Sequence, residues 1–254
     1  MKRIALKIAY DGTNYCGWQI QKNGITIEEV LNKTLSKLTG ENVVVIGASR
    51  TDSGVHSMGN VAIFDTESTI PPNRFSYALN QRLPSDIRIV ESVETPSDWH
   101  PRYQHEISKT YEYHILNSKS ENPLRRLYAT YISFDLNIDN MIKGAGYILG
   151  KHDFVSFCNM KSVVEDTTRT ITDIKVTKQD DEIIISVTGD GFLYNMVRII
   201  AGVLIRVGRG FYEPVKVAEL IEARTRTNES VTAPANGLVL VNITYKEDIF
   251  QKEC

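Results

Sequence analysis

The sequence lacks the features that mark several common protein classes. It has only three cysteines, Cys16, Cys158 and Cys254, and their wide spacing favours reduced thiols over a disulfide framework or a zinc site. It has no apolar run near the roughly 18 residues that a membrane helix needs. Its N-terminus leads directly into an alternating strand pattern and not into a signal segment. A soluble, cytoplasmic protein without membrane contact is therefore expected.

Sequence motifs for nucleotide and metal binding are missing as well. No strand pattern is followed by GxGxxG, and GxxxxGK[ST] does not occur, so no nucleotide cofactor is expected. The five histidines show no metal-ligand spacing, so no metal is expected either. The formal net charge of −2 gives no overall basic signature, so nucleic-acid binding would depend on a local basic patch. These absences together favour chemistry that needs no cofactor.

The chain has 254 residues, 42% of them hydrophobic, which is enough for one large domain or two small ones. Its first part predicts the order β-α-β-β-α-β. The elements are a strand at 3–10, a helix between Thr26 and Gly40, strands at 43–46 and 60–65, a helix at 73–80 and a strand at 87–94. A long loop rich in glycine and aromatic residues, YDGTNYCGWQIQKNG, separates the first strand from the first helix.

The second part predicts a similar order. Its elements are a strand at 109–116, a helix at 139–149, strands at 171–176 and 183–188, a helix at about 193–207, a helix after Pro214 and a strand at 238–245. The expected fold class is α+β, with two similar ferredoxin-like or RRM-like halves at residues 1–105 and 106–254.

The stretch GASRTDSGVHS at residues 47–57 follows an apolar run and contains Arg50, Asp52 and His56. Asp52 can be explained as a turn residue, because aspartate bonds to its own backbone in turns. Arg50 is harder to explain, since residues two apart on an extended chain point to the same side. These residues alone leave both interpretations of Asp52 open, as a turn residue and as a candidate catalytic carboxylate. His56 is either a titrating group at this site or a histidine that bonds to the backbone.

Two further segments contain candidate site residues. Arg198 lies inside an apolar helical run, so it either pairs with a carboxylate such as Asp52 or reaches solvent from the helix edge. Tyr111 and Tyr113 in KTYEY share one strand face. Core packing explains such a pair, but a ring beside a carboxylate can also stack on a base.

Six segments, in order, resemble the bacterial tRNA pseudouridine synthase A family across nearly the whole chain. They are YDGTNYCGWQIQ, GASRTDSGVHSMGNV, LPSDIRI, KTYEY, GFLYNMVRIIAGVLIRVGRG and TAPANGLVLVNI. Small departures include Ser53 where the family often has alanine, Ser57 where it has another small residue, and Asn60 where glutamine is common. The resemblance implies the pseudouridine synthase fold, in which the mainly antiparallel sheets of two α+β halves combine around a central cleft.

The resemblance also implies an activity. The chain is expected to isomerise uridine to pseudouridine at positions 38, 39 and 40 in the anticodon arm of tRNA, without a cofactor and as a homodimer. It implies that Asp52 is the catalytic aspartate, that Arg198 pairs with it and that Tyr111 stacks on the uracil ring. Asp52 would either attack C1′ or remove the C2′ proton, and the sequence does not choose between these routes.

The predicted substrate contacts are Arg50, Tyr111, Leu238, His56 and Asn80. Further electrostatic contacts with tRNA are expected from Lys2, Arg102, Lys109, Arg125, Arg126 and Arg209.

Two other classes of protein are compatible with parts of this pattern. The Asp52-Ser53-Gly54 turn resembles that of aspartic proteases, but Arg50 would oppose the raised pKa that a shared-proton dyad needs. A non-catalytic RNA-binding module would use the tyrosines as stacking platforms and Asp52 as a turn residue.

Overall fold

A computed structural model describes residues 1–104, 106–159 and 166–250 of the chain. His105, at the predicted domain boundary, and Cys254 lie outside the described residues. The chain divides into two compact units, Met1–Ile107 with Leu240–Cys254, and Ser108–Val239. Among the described residues, no helix is both long enough and apolar enough to cross a membrane.

The helices and strands, numbered along the chain, agree largely with the pattern predicted above. They are β1 (Lys2–Tyr10), α1 (Ile27–Thr39), β2 (Ile46–Gly47), β3 (His56–Thr66), α2 (Phe75–Asn80), β4 (Ile87–Thr95), β5 (Ser108–Asn117), β6 (Thr130–Ile132), α3 (Ile138–Gly146), β7 (Gly150–Asp153), β8 (Thr168–Gln179), β9 (Glu182–Gly189), α4 (Met196–Gly208), α5 (Lys216–Glu222) and β10 (Leu238–Thr244). The mixed α+β class is confirmed.

The first unit is an antiparallel sheet covered by helices. Its strands lie in the order β4-β1-β3-β10, and β2 adds a short antiparallel pairing to β3. Ile4, Leu6 and Ile8 of β1 alternate into the same hydrophobic core as Leu31 and Leu35 of α1. This core fixes the strands that flank the Asp52 segment.

Helix α1 begins and ends where its sequence signals predict. The Thr26 side chain accepts a hydrogen bond from the backbone N–H of Glu29, as an N-cap should. Gly40 ends the helix in the left-handed region, with φ of 77°.

The predicted strand at 43–46 is wrong over most of its length, because only Ile46 and Gly47 form a strand there. Val43 and Val45 are buried as the alternation predicts, but their amides do not join a ladder. Val43 N–H donates to Ser36 Oγ at 3.0 Å, and Val45 N–H donates to Asn32 Oδ1 at 2.9 Å. Side chains of α1 therefore replace the neighbouring strand as hydrogen-bond partners for this segment.

The second unit has its own antiparallel sheet, with the strand order β5-β9-β8-β7 and the short strand β6 parallel to β5. Along the chain, β5, α3, β8, β9, α4, α5 and β10 give the predicted order, and β6 and β7 are additions. Helix α3 ends at Gly146, earlier than predicted. Helix α4 begins at Met196, because Asn195 lies in the left-handed region with φ of 62° and cannot continue a helix.

Candidate active site

The Asp52 segment connects β2 to β3 in the first unit. Thr51 is buried, Arg50 is exposed and Asp52 is half-buried. The Asp52 carbonyl accepts the backbone N–H of Val55 at 3.1 Å, and Gly54 takes a φ of 76° in the resulting turn. The carboxylate therefore stands on a hydrogen-bonded turn at the start of a central strand.

The glycine- and aromatic-rich loop at residues 11–25 supports this turn from the outside. The Trp18 backbone N–H donates to the Thr51 carbonyl at 3.0 Å. The Tyr15 carbonyl accepts the Ser53 hydroxyl at 3.2 Å and the Gly54 N–H at 3.3 Å. Three hydrogen bonds thus join the two loops around Asp52.

Glycine at position 17 permits this close approach. Gly17 has a φ of 83°, and a Cβ built there would lie 2.6 Å from the Thr51 carbonyl oxygen and 3.0 Å from the Asp52 carbonyl carbon. Its own carbonyl accepts the N–H of Ile27 at 3.2 Å, and the Trp18 carbonyl accepts the N–H of Glu28 at 3.0 Å. The same loop therefore satisfies first-turn amides of α1.

Asn60 and Tyr10 hold the segment from the sheet side. Asn60 is fully buried, and its amide bonds to both the N–H and the carbonyl of Ser49. The Tyr10 hydroxyl lies 2.7 Å from Thr51 Oγ1, and burial raises the pKa of Tyr10 to about 12. Asn60 thus has a structural role in holding the backbone of this segment.

His56 is buried at the first position of β3, beside Asp11. Its Nδ1 lies 3.1 Å from the Gly12 N–H and 3.1 Å from Asp11 Oδ1. An Nδ1 without a proton accepts from Gly12, whereas an Nδ1 that carries a proton donates to Asp11, so the tautomer of the ring selects between the two contacts. These contacts fit the alternative of a histidine that bonds to its local backbone, and its contact with substrate stays a prediction.

Asn80 closes α2 against β4. Its side-chain amide donates to the Ile89 carbonyl and accepts the Ile89 N–H, both at 2.8 Å. This reciprocal pair gives Asn80 a structural role in the first unit, and its predicted substrate contact stays a prediction.

A pair of arginines lies beside the Asp52 segment. Arg102 Nε donates to the Gly47 carbonyl at 2.6 Å, at the point where the segment leaves β2. Burial lowers the pKa of Arg102, and the positive charge of Arg50 lowers it further. The first unit thus places two guanidinium groups near the segment that contains Asp52.

In the second unit, Tyr111 lies in β5 opposite Val187 of β9. Its ring is 7% exposed and meets the Phe192 ring edge-on, with the centroids 5.1 Å apart. Tyr113 on the same strand face is fully buried, and its hydroxyl donates to the Pro234 carbonyl at 2.9 Å. Core packing therefore accounts for Tyr113, while Tyr111 lies at the edge of that core.

Arg198 lies in the first turn of α4 and is half-buried. Its Nε donates to the Ala233 carbonyl at 2.8 Å, and its Nη1 donates to Asn195 Oδ1 at 2.9 Å. The left-handed backbone of Asn195 sets the direction of that amide. The guanidinium is therefore oriented by the protein, which argues against the alternative that it only reaches out to solvent.

Leu238 is 5% exposed and begins β10 after a short helical turn at Ala235–Gly237. Asn236 holds this turn in place, because its amide donates to the carbonyls of Arg126 and Ala129 at 2.9 and 3.0 Å. The predicted site residues thus fall into two sets, with Arg50, Asp52, His56 and Asn80 in the first unit and Tyr111, Arg198 and Leu238 in the second.

The basic residues expected to contact tRNA differ in their surroundings. Arg125 is paired with Glu182, whereas the neighbouring Arg126 is exposed. The Arg209 guanidinium stacks 4.2 Å from the ring of Phe134. Within residues 1–104, 106–159 and 166–250, no three His, Cys, Asp or Glu side chains lie close enough to hold a metal ion together.

Sequence reasoning missed the residues that support the site. Tyr10, Tyr15, Gly17 and Trp18 hold the Asp52 segment, yet no local pattern shows which distant loop they contact. The only signal was an unusually long loop containing glycines and aromatic residues.

Comparison with known proteins gives matches along nearly the whole chain. Residues 7–104 and 145–246 match the family described as tRNA pseudouridine synthase. A tRNA pseudouridine synthase A from Ruminiclostridium cellulolyticum is 49% identical over 246 residues, which cover 96% of this chain and 100% of that protein. Proteins of the same name from Thermoanaerobacter sp. (45% identical, covering 96% of this chain and 100% of that protein) and Halalkalibacterium halodurans (42% identical, covering 94% and 91%) are also similar.

Proposed function

This chain belongs to the tRNA pseudouridine synthase family, and on that premise we propose that it isomerises uridine to pseudouridine at positions 38, 39 and 40 of the tRNA anticodon stem-loop. Asp52 is the catalytic carboxylate in this proposal. The main observation behind this proposal is a family match that spans both units. The geometry of Asp52 supports it, because this half-buried residue lies on a turn that two other segments hold in place. The family match also argues against an aspartic protease and against a non-catalytic RNA-binding module.

The reaction rearranges bonds within one nucleotide. The bond between N1 and C1′ breaks, the base turns, a bond forms between C5 and C1′, and the C5 proton leaves to solvent while N1 takes up a proton. Electrons and atoms balance without a redox partner or an energy source, so we propose that no cofactor takes part. An ionised carboxylate near the ribose can start the reaction by attacking C1′ or by removing the C2′ proton.

The second unit supplies two further groups in this proposal. Arg198 pairs with Asp52 and keeps it ionised, since a guanidinium within about 4 to 6 Å lowers a carboxyl pKa by about 1 to 3 units. The bonds from Arg198 to Ala233 and Asn195 support this role, because they fix the direction of the cation. Tyr111 stacks on the uracil ring, and Leu238 packs beside the base.

Access to the target requires the nucleotide to leave the anticodon helix, at a cost of roughly a few kcal/mol. Arg50 is exposed in the Asp52 segment and is the group we assign to the vacated space or to a neighbouring phosphate. His56 and Asn80 complete the proposed substrate contacts. We further propose that the protein acts in the cytoplasm as a homodimer, in which one tRNA contacts both subunits.

Tritium release from C5-labelled uridine in an anticodon-arm RNA tests the activity directly. Asp52→Asn should lower the rate by at least about 10²- to 10⁴-fold, because the amide neither attacks C1′ nor accepts the C2′ proton. The matched control is Asp135→Asn, an exposed aspartate in the second unit, which should release tritium at the wild-type rate. Equal release from wild type and Asp52→Asn, or none from wild type, would contradict the proposal.

Deuterium at C2′ separates the two routes open to Asp52. A primary isotope effect on the single-turnover rate is expected only if the C2′–H bond breaks during the reaction. A rate unchanged by the label favours attack on C1′.

A further inference from the structure

An aromatic pair, the exposed Tyr103 and the half-buried His100, lies next to Arg50 and Arg102 in the first unit. Tyr103 is 79% exposed, and its ring stacks on His100 with the centroids 4.4 Å apart and an interplanar angle of 23°. Stacking on His100 orders the Tyr103 ring without burying it. The ring therefore presents an exposed aromatic surface.

Hydrogen bonds and packing hold this platform rigidly. The Arg102 N–H donates to His100 Nδ1 at 3.1 Å, and the Gln104 amide donates to the His100 carbonyl at 2.9 Å. Beneath it, the Trp99 ring packs against Tyr245, whose hydroxyl donates to the Pro101 carbonyl at 3.0 Å. Arg3 Nη1 also donates to the Trp99 carbonyl at 3.1 Å. Hydrogen bonds and ring packing therefore fix the conformation of the segment at 99–104.

Arg50 and Arg102 bring two positive charges together beside the platform, and the negative charge of Glu28 offsets that of Arg102 only in part. Arg102 gives its Nε to the Gly47 carbonyl, and in the part of the chain that the structure describes no carboxylate forms an ion pair with Arg102 or with Arg50. Two neighbouring guanidinium groups repel each other, and the repulsion grows where burial removes water. An anion between them would remove this cost. Arginine forks suit the two free oxygens of a phosphodiester.

Histidine adds no third charge to the site. Burial and the charge of Arg102 lower the pKa of His100, so its ring is neutral near pH 7. The platform is thus a neutral stacked pair at the side of a cationic pair.

We propose that Tyr103, stacked on His100, and the guanidinium pair of Arg50 and Arg102 form a nucleotide subsite of the RNA substrate. The subsite takes a nucleotide outside the target uridine, with its base on the open face of Tyr103 and its phosphate between the arginines. Arg102 joins this subsite to the reacting centre, because it also holds the Gly47 carbonyl at the start of the Asp52 segment. This assignment rests on the proposed isomerase function and adds to it the position of a second bound nucleotide.

Binding of tRNA in the Asp52→Asn background tests the stacking half. Tyr103→Ala should weaken the affinity about 5- to 150-fold, since base stacking on an aromatic ring contributes about 1 to 3 kcal/mol per base. Tyr103→Phe keeps the ring and should bind within about twofold of the parent. Tyr77→Ala is the matched control, because Tyr77 is another exposed tyrosine of the same unit, on α2, and its loss should leave the affinity unchanged.

The phosphate half is tested by salt dependence. Arg102→Gln removes the charge but retains an amide that can donate to the Gly47 carbonyl. The slope of log affinity against log salt should become shallower by about 0.7 to 0.9 on loss of one phosphate contact. In the otherwise wild-type protein, Tyr103→Ala should raise KM more than it lowers kcat.

The two proposals fail separately. Wild-type protein that releases no tritium contradicts the isomerase function. Wild-type protein that reacts, while Tyr103→Ala binds like the parent or loses no more affinity than Tyr77→Ala, overturns the subsite alone. An unchanged salt slope in Arg102→Gln overturns the assignment of the phosphate.

Discussion

The side chain of Asn60 holds the backbone of Ser49 from both sides. Asn60 Oδ1 accepts the Ser49 N–H at 3.2 Å, and Asn60 Nδ2 donates to the Ser49 carbonyl at 3.0 Å. Asn60 is fully buried in β3. Its side-chain amide therefore makes the same two hydrogen bonds to Ser49 that the backbone of a neighbouring strand would make. The segment that contains Asp52 therefore keeps sheet-like pairing after β2 has ended.

Replacing this amide should cost much of the stability of the first unit. Asn60→Ala removes both bonds to Ser49 and should lower the free energy of unfolding by about 2 to 4 kcal/mol. Urea unfolding followed by circular dichroism measures the loss. Asn42→Ala, an exposed asparagine of the same unit, is the control and should change the value by less than about 0.5 kcal/mol. An Asn60→Ala protein as stable as this control would show that the bonds between Asn60 and Ser49 do not contribute to the free energy of unfolding.

Gly→Ala variants at Gly17 and Gly40 separate the effect of backbone strain from the effect of steric contact with a neighbouring loop. Both have φ near 80°, but a Cβ at Gly40 meets nothing within 4 Å, whereas one at Gly17 meets Thr51 and Asp52. Each Gly→Ala change should lower the free energy of unfolding by about 1 kcal/mol or more through its left-handed backbone. Only Gly17→Ala should also lower the tritium-release rate of folded protein, since it displaces the turn that carries the proposed catalytic residue, Asp52. Equal activity of the two variants would show that the contact between the two loops does not affect catalysis.

Asn195 orients Arg198, and its backbone conformation suits glycine. Asn195→Gly should keep α4 intact, because glycine adopts a φ of 62° without strain, while it removes the bond to Arg198 Nη1. We expect kcat/KM to fall about 10-fold with little change in Tm. Asp180→Gly, at an exposed left-handed position with φ of 52°, is the control and should retain full activity. A fully active Asn195→Gly enzyme would rule out this positioning role.

Buried tyrosines should make the protein sensitive to alkali. Burial raises the pKa of Tyr10 and of Tyr113 to about 12, above the unfolded value of about 10. The unfolded chain therefore loses these protons first. Their stabilisation is present below pH 10 and is lost as the pH rises from about 10 to 12, by up to about 1.4 kcal/mol per pH unit for each group.

Urea unfolding between pH 9 and pH 11.5 measures this slope. Tyr113→Phe should be less stable at neutral pH, because it loses the bond to the Pro234 carbonyl, but its free energy of unfolding should fall less steeply above pH 10. Tyr77→Phe at an exposed position should keep the wild-type slope. Identical slopes in all three proteins would refute the prediction.

The sequence predicted those elements whose signals are local. Helix α1 carries its start at Thr26, its end at Gly40 and its apolar stripe within 15 residues, so nothing distant was needed to place it. The strand expected at 43–46 failed for the opposite reason. Its alternation correctly predicted which valines are buried, but the partners of its amides are side chains of α1, and periodicity carries no information on partners.

The candidate site divides in the same way. The sequence predicts Asp52 and Arg50 from their spacing and Arg198 from its charge in an apolar run, and the structure adds how these side chains and their segments are held. The left-handed residue that directs Arg198 and the carbonyl that accepts from Trp18 depend on backbone angles and on contacts far along the chain. The aromatic platform at Tyr103 was not predicted, because a tyrosine in a loop has no local mark that distinguishes a stacked ring from a solvated one.

The loop at 11–25 joins the first turn of α1 to the carbonyl next to Asp52 through consecutive backbone amides. Fraying of that helix end and loosening of the turn that carries Asp52 are then a single opening event, which hydrogen exchange would register as one shared protection factor at Trp18, Ile27 and Glu28. Any substitution that tightens the helix cap would thereby also lengthen the time that this turn spends closed.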